Sequence, residues 1–268
     1  MNQENPDEIF KKASTTYYNA TKFFTPEIAK QVTDLYVFVR VIDDFVDNIP
    51  AKEEEYYSFK KEYLSHLKNN DSNNSIIVNF VDLLKLKDFQ TSWVDAFFES
   101  MEMDLNKREY TKFSQTKEYI YGSAEVIGLF MSKIMDLPQE SFESAKALGC
   151  SMQYINMIRD FNEDLDLQRI YLPISKENRQ NLEQYIKTKE FNEFIIEEIN
   201  RYLKIQKQAE EGFKYIPKQY LIPIKTASDM YKWTAKQIYK NPQIIFKKKV
   251  KPSKIRVILM GLKNKVFL

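Results

Sequence analysis

One cysteine, one histidine and five glycines are all that the 268 residues hold of these types, and each scarcity closes off a class of chemistry. Cys150, being alone, can form no intrachain disulfide and cannot build a thiolate zinc site, so it is read as a small buried side chain. His66 leaves a Ser-His-Asp triad few options and denies a di-iron bundle its two Glu-x-x-His motifs. It stands just before the polar stretch NNDSNNS at 69–75 and is read as a surface residue. Five glycines cannot punctuate many β-turns, and the apolar spacing is helical nearly everywhere, which predicts an all-α protein. No run of about 18 apolar residues suggests a membrane span, and no apolar leader precedes a cleavage site, so a cytoplasmic location is expected. No G-x-G-x-x-G motif is present, and no nucleic-acid partner is expected.

Against these scarcities, acidic residues recur at helical spacing inside apolar segments. In QYINMIRDFNED, 153–164, a period of about 100° per residue puts Gln153, Asn156, Asp160 and Asp164 in one narrow stripe. Apolar side chains cover much of the remaining circumference, the reverse of an ordinary surface helix. Carboxylates in such a setting are costly unless a cation sits among them, and a bound metal is the candidate. The segment 26–47 repeats the arrangement: Ile28, Val32, Leu35, Val39, Ile42 and Val46 form an apolar stripe, and Tyr36, Arg40, Asp43 and Asp47 share the adjacent one. One helical turn places the members of each Asp-x-x-x-Asp pair side by side. If the two helices face each other, four carboxylates converge.

Carboxylate oxygens without His or Cys are hard ligands that suit Mg²⁺ or Mn²⁺. Two such pairs across a cavity would hold ions around a diphosphate, whose departure is helped by charge neutralisation. Arg40 and Arg159 lie beside the pairs and would add charge-assisted hydrogen bonds. A single Asp-x-x-x-Asp is usually no more than a solvated helix face. Two of them, on two largely apolar helices each with an adjacent Arg, are a stronger signal.

Elsewhere, Asn48, Ile49 and Pro50 end the first acidic helix, and another begins near Glu53. Helices are expected over 93–103 and 114–135. The latter contains Gly122, Ser123, Ala124 and Gly128, a small-residue patch whose glycines cost about 1 kcal/mol each against alanine and so imply close helix packing or a bulky ligand. Over 191–213 alternating charges suggest an outer scaffold helix. YIPKQYLIP is read as a break framed by Pro217 and Pro223. Residues 247–268 carry eight Lys and Arg and no acid; removing these from a net charge of +2 leaves −6 for the rest. Apolar residues are interspersed among those cations, so this tail either makes peripheral contact with an anionic membrane or is a solvated, partly disordered terminus. The chain divides accordingly into a domain over 1–246 and a basic amphipathic tail over 247–268.

These motifs carry a resemblance. RVIDDFVD at 40–47, QYINMIRDFNED at 153–164 and RIYLP at 169–173, in that order and separation, resemble the squalene and phytoene synthase family of head-to-head prenyltransferases. The resemblance runs from Ser14 to the tail. It implies the all-α isoprenoid synthase fold, a helical bundle around a central cavity, with two prenyl diphosphates bound together. Metal would fall to Asp43, Asp47, Asn156, Asp160 and Asp164, while Arg40, Arg159, Gln153, Tyr36 and Tyr231 would contact diphosphate or reacting carbons. Tyr121, Ala124 and Gly128 would line the prenyl channel. STTYY at 14–18 stands where the family commonly shows Ser-x-Ser-Phe, with Ser14 and Thr16 supplying hydroxyls and Tyr17 the ring. Glu125 occupies a place often held by glycine in squalene-type members.

The reaction implied joins two prenyl diphosphates through a cyclopropyl diphosphate. By the resemblance, the residue one turn beyond the first-helix aromatic, Tyr17, helps set the depth of the prenyl pocket; here it is Thr21, whose small side chain would leave room for a C20 chain. This predicts phytoene synthase acting on geranylgeranyl diphosphate, with Mg²⁺ and without NADPH. Squalene or dehydrosqualene synthase acting on farnesyl diphosphate is the alternative within the family. A non-catalytic lipid-binding protein is the alternative outside it, and clustered carboxylates would serve such a binder no purpose.

Overall fold

Helices in this chain begin where short polar side chains can take up the free N–H groups of a first turn. Thr25, Asn74, Ser175, Thr188 and Ser253 each accept such a bond, and Pro26 opens the first acidic helix with its φ already fixed. The structure is a computed structural model and describes residues 6–13, 21–106 and 109–268. Its α-helices are α1 Pro6–Ala13, α2 Pro26–Asp47, α3 Glu53–Asn69, α4 Ser75–Leu86, α5 Thr91–Asn106, α6 Phe113–Ile120, α7 Val126–Ile134, α8 Phe142–Arg159, α9 Phe161–Asp166, α10 Lys176–Gln180, α11 Leu182–Tyr185, α12 Lys189–Glu210, α13 Lys218–Lys240 and α14 Lys254–Phe267. Short 3₁₀ segments join some of these, and among the described residues β-structure is limited to an isolated bridge between Glu109 and Ile170. No helix among them is long and apolar enough to cross a membrane.

Two apolar cores organise the bundle. The first gathers α2, α3, α4, α5 and α7, with Phe38 stacked on Phe80 at 3.7 Å between ring centroids. The second gathers α8, α12 and α13 around Tyr154, Ile155, Ile158, Ile195, Ile199 and Ile238, all with no exposed surface. Each such side chain contributes about 1.5–3 kcal/mol by leaving water. One acidic helix, α2, belongs to the first core and the other, α8, to the second.

The glycines of the small-residue patch set the spacing at the seam. A Cβ on Gly122 would lie 1.9 Å from the Ala96 carbonyl oxygen, one on Gly128 2.2 Å from that of Ala145, and one on Gly149 2.2 Å from that of Ala124. Only glycine allows backbone to approach backbone so closely. Helix packing therefore accounts for Gly128, and the channel-lining role implied by resemblance is not what requires a glycine there. Between α6 and α7 the chain passes through a π-helical turn, Tyr121–Glu125, caught between α5 and α8.

Several sequence expectations are corrected. His66 is 5% exposed, not a surface residue: its Nδ1 accepts the Ser72 backbone N–H at 3.0 Å as the following loop folds over it. α12 is the outer helix that its charge pattern suggested: Phe191, Ile195, Ile199, Tyr202 and Ala209 bury one face, while Glu193, Glu197, Asn200, Lys204 and Lys207 stay exposed. Pro223 does not break the chain but sits inside α13, where it forgoes one backbone hydrogen bond and its ring crowds the carbonyl one turn back. The 153–164 helix bends at Asp160, which ends α8 and precedes α9. The stripe survives the bend because the Asp160 N–H still reaches the Asn156 carbonyl at 2.7 Å and the Asp164 N–H that of Asp160 at 2.9 Å.

Candidate active site

The last turn of α2 faces an electrostatic difficulty. Asp43, Asp44 and Asp47 crowd the end of the helix where the backbone dipole is already negative. Arg40 takes up part of the charge, donating from Nη2 to Asp44 one turn on rather than to Asp43. Asp43 is half-buried, and burial together with the adjacent Asp47 pushes its carboxyl up to about 8, with Arg40 opposing. Asp47 is relieved from elsewhere in the chain. Arg169, only 7% exposed, donates from Nη1 to Asp47 Oδ1 at 2.7 Å and from Nη2 to the Val46 carbonyl at 2.7 Å. The second bond satisfies one of the carbonyls that a helix end leaves without partners. The Arg169 backbone N–H meanwhile donates to the Asp164 carbonyl at 2.8 Å. One residue therefore joins the end of the first acidic motif to the end of the second.

Beneath Arg169 lies Asp104, an α5 carboxylate that sequence spacing did not single out. It is 7% exposed and accepts from the phenols of Tyr119 at 2.7 Å and Tyr171 at 2.5 Å. Burial pushes this carboxyl up to about 6 against the pull of Arg169 and the two hydrogen bonds. RIYLP thus has a structural use: Arg169 reaches Asp47, Tyr171 reaches Asp104, and the Tyr171 carbonyl accepts from Thr116 Oγ1 at 2.7 Å.

On the opposite side, Asp160 accepts from Arg159 Nε at 2.8 Å and lies 3.1 Å from Lys249 Nζ, which also pairs with Glu163. Lys249 is a second residue missed at the sequence level, assigned there only to the basic tail. Burial, followed by Asp160, pushes Asp164 up to about 8, and Asp104 and Asp47 add to that push. The field of the first motif is therefore felt at the second. Asp47 and Asp104 are thus near enough to act on Asp164, and Arg169 joins the ends of the two motifs.

The other candidates are distributed around it. Gln153 and Asn156 are half-buried on the face of α8 that leads to Asp160. Tyr36 is half-buried and stacks on Phe10 at 3.9 Å, while Tyr231 packs against the second core. Tyr121 is 39% exposed and Ala124 9%. Glu125 is buried and ion-paired with Lys117 across the π-helical turn, which explains how a carboxylate is tolerated there. Thr21 opens a 3₁₀ turn, Thr21–Phe23, ahead of α2. Ser14, Thr16 and Tyr17 lie outside the described residues.

The donor set suits a hard divalent cation. Buried side-chain polar atoms nearly always have partners, yet Asn156 Oδ1 and Arg40 Nε are buried here with none. Both belong to residues assigned to the site. An amide oxygen beside carboxylates, with no imidazole or thiolate, fits Mg²⁺ or Mn²⁺. The oxygens are not gathered in advance, since no group of three or more such side chains able to hold a metal occurs among the described residues. Asp47 is paired with Arg169, and Asp160 with both Arg159 and Lys249.

The squalene/phytoene synthase pattern matches residues 10–256. This chain belongs to the squalene/phytoene synthase family. Among curated relatives it is 26% identical to a chloroplastic phytoene synthase of an Oncidium hybrid cultivar, covering 94% of this chain and 65% of the relative. To the chloroplastic phytoene synthase of Narcissus pseudonarcissus it is also 26% identical, covering 93% and 62%. The chain thus spans about two-thirds of the length of these relatives. Of solved structures, a dehydrosqualene synthase in complex with ligand superposes with a TM-score of 0.86 at 20% identity, covering 98% of this chain and 94% of that one. Squalene synthase HpnC from Alicyclobacillus acidocaldarius superposes with a TM-score of 0.78 at 16% identity, covering 88% and 92%. The all-α isoprenoid synthase fold expected from the resemblance is therefore the fold of this squalene/phytoene synthase family member.

Proposed function

We propose that this chain is a prenyltransferase that joins two geranylgeranyl diphosphates head to head into phytoene, with Mg²⁺ and without NADPH. The observation that supports the reading most is the pairing of two acidic motifs through Arg169, which binds Asp47 by its side chain and Asp164 by its backbone. The relatives at 26% identity are phytoene synthases, which favours the C20 substrate over C15.

In this reading Asp43, Asp47, Asn156, Asp160 and Asp164 hold the metal, and bound Mg²⁺ supplies charge neutralisation for the departing diphosphate. The chain does the rest. Arg159 and Arg40 donate charge-assisted hydrogen bonds to diphosphate oxygens. Lys249, 3.1 Å from Asp160, adds a further cation beside Arg159. The first diphosphate leaves with the electron pair of its C–O bond, producing an allylic cation. The 2,3 double bond of the second molecule attacks that cation, and loss of a proton closes the cyclopropane. Departure of the second diphosphate, rearrangement and a further proton loss give the hydrocarbon. Tyr36 and Tyr231 offer aromatic faces to the passing cations.

The test offers purified protein both C15 and C20 diphosphates and identifies products by mass, with arms containing Mg²⁺, EDTA and NADPH. A C40 hydrocarbon from the C20 substrate, lost in EDTA and indifferent to NADPH, is expected. Turnover of the C15 substrate alone overturns the chain-length assignment, and diphosphate release that persists in EDTA overturns the metal.

A further inference from the structure

Among the described residues, six of the fourteen large apolar side chains that stand exposed lie on α14. Ile255, Ile258, Leu259, Leu262 and Val266 are 71%, 61%, 61%, 56% and 75% exposed. At about 100° per residue they fall within about 100° of arc, a continuous aliphatic stripe. An ordinary surface helix turns such a stripe inward. α14 does the opposite. Its inner side meets α13 through Asn264, 4% exposed, whose Nδ2 donates to Thr226 Oγ1 and Asp229 Oδ2, both at 3.1 Å. Val257, Met260 and Gly261 are the half-buried apolar residues beside it.

Charge flanks the stripe on both sides. By the same rotation Lys254 and Lys265 lie along one edge, and Arg256 and Lys263 along the other. Arg256 is steadied with its guanidinium over the Trp233 ring at 4.9 Å from the centroid. No acid occurs over 247–268 to offset these cations. A second copy docked on the same face would cover the aliphatic residues only by bringing like charges edge to edge. An occupant that is apolar within and anionic at its rim fits both features.

We propose that α14 is an interfacial helix that seats the protein on an anionic lipid bilayer. Its aliphatic stripe enters the acyl boundary and its two basic edges lie at the headgroup phosphates. The proposal stands independently of which prenyl diphosphate is the substrate, because none of these side chains belongs to the acidic site.

The experiment uses the full chain in vesicle flotation, with vesicles of phosphatidylcholine plus phosphatidylglycerol, and of phosphatidylcholine alone. Two double variants alter exposed positions only, Ile258→Glu with Leu259→Glu and Lys263→Ser with Lys265→Ser, and circular dichroism with urea unfolding verifies that each remains folded. Wild type is expected to float with the anionic vesicles and to do so more weakly with neutral ones. The lysine pair should weaken anionic binding about 30-fold, and the glutamate pair at least about 100-fold. Absence of wild-type protein from the anionic fraction overturns the proposal, as does equal flotation of the folded variants. A wild-type dimer by light scattering that the glutamate pair dissolves would assign the stripe to a second copy instead.

Discussion

Arg169 is the residue on which the two halves of the site depend, and its removal should be measurable before any substrate is added. In Arg169→Met the side chain keeps its bulk and loses every donor. The Val46 carbonyl loses a bond from a charged donor, worth about 1.5–3 kcal/mol. The Asp47 pair contributes less, about 1 kcal/mol, because the acid side chain is 47% exposed and solvent screens it. An unfolding free energy lower by about 2–4 kcal/mol follows. Arg169→Lys keeps the charge without the fork and should lose about half of that.

A merely bulky arginine would give the same direction, so the informative variant is Asp104→Asn. Arg169 restrains the upward push on the buried Asp104 carboxyl, and without it that carboxylate lies near no compensating charge but two phenols. Removing both residues should therefore cost less than the two single losses added together, with a coupling energy of about 0.5–3 kcal/mol. Urea unfolding followed by circular dichroism at neutral pH supplies all four corners of the cycle. Additivity to within about 0.5 kcal/mol would refute the reasoning, since independent sites add and members of one network do not.

Other expectations can be tested on the same protein. Asp43 and Asp164 titrate near 8 when folded, above the ordinary carboxylate value, so without metal their contribution to stability is fully present at acid pH and is lost as pH rises toward 8. Mg²⁺ competes with those protons, so the rise in Tm between EDTA and MgCl₂ should grow from slightly acid to slightly alkaline pH; an increment that stays constant contradicts the assignment. Gly149→Ala drives a Cβ to 2.2 Å from the Ala124 carbonyl oxygen, and overpacking of about 1–3 kcal/mol should exceed the gain in helix propensity of about 1 kcal/mol. Gly261→Ala meets nothing nearer than 3.9 Å and should instead stabilise by about 0.5–1 kcal/mol; shifts of the same sign in urea unfolding would undo that contrast. Thr21→Phe should move product preference from the C20 toward the C15 substrate, and an unchanged product ratio in mass analysis would refute a pocket-depth role for residue 21.

What the sequence disclosed and what it withheld divide along a physical line. Periodicity is a local property, so the apolar stripe of α2, the acidic stripe of 153–164 and the small-residue patch beside the π-helical turn could be read directly. His66 was misread because the polar stretch after it folds back, and Ser72 donates its backbone N–H to the ring. Alternating charge along 191–213 suggested an exterior helix, and Phe191, Ile195, Ile199 and Tyr202 recur on the one face that it buries against α8. Glu198 goes in with them, tolerated because Tyr154 and Arg201 donate to it. Pro223 looked like a stop because a proline inside a helix loses a backbone hydrogen bond, a local cost that burial of its neighbours Tyr220, Leu221 and Ile222 outweighs.

The two residues that complete the acidic site had no local signal at all. Asp104 lies in a segment that reads like any half-exposed helix end, and what ties it to the acidic motifs is burial near Arg169, 65 positions further along. Lys249 is one cation among eight in a tail whose composition suggests lipid or solvent, yet it reaches Asp160 at 3.1 Å. In both cases a carboxylate gathered for chemistry must be stabilised while no substrate is bound, and the compensating charge comes from wherever the fold can supply it. The acidic stripes and the arginines beside them can therefore be read from spacing, whereas the cations that distant chain brings to them, those of Arg169 and Lys249, are seen only in the fold.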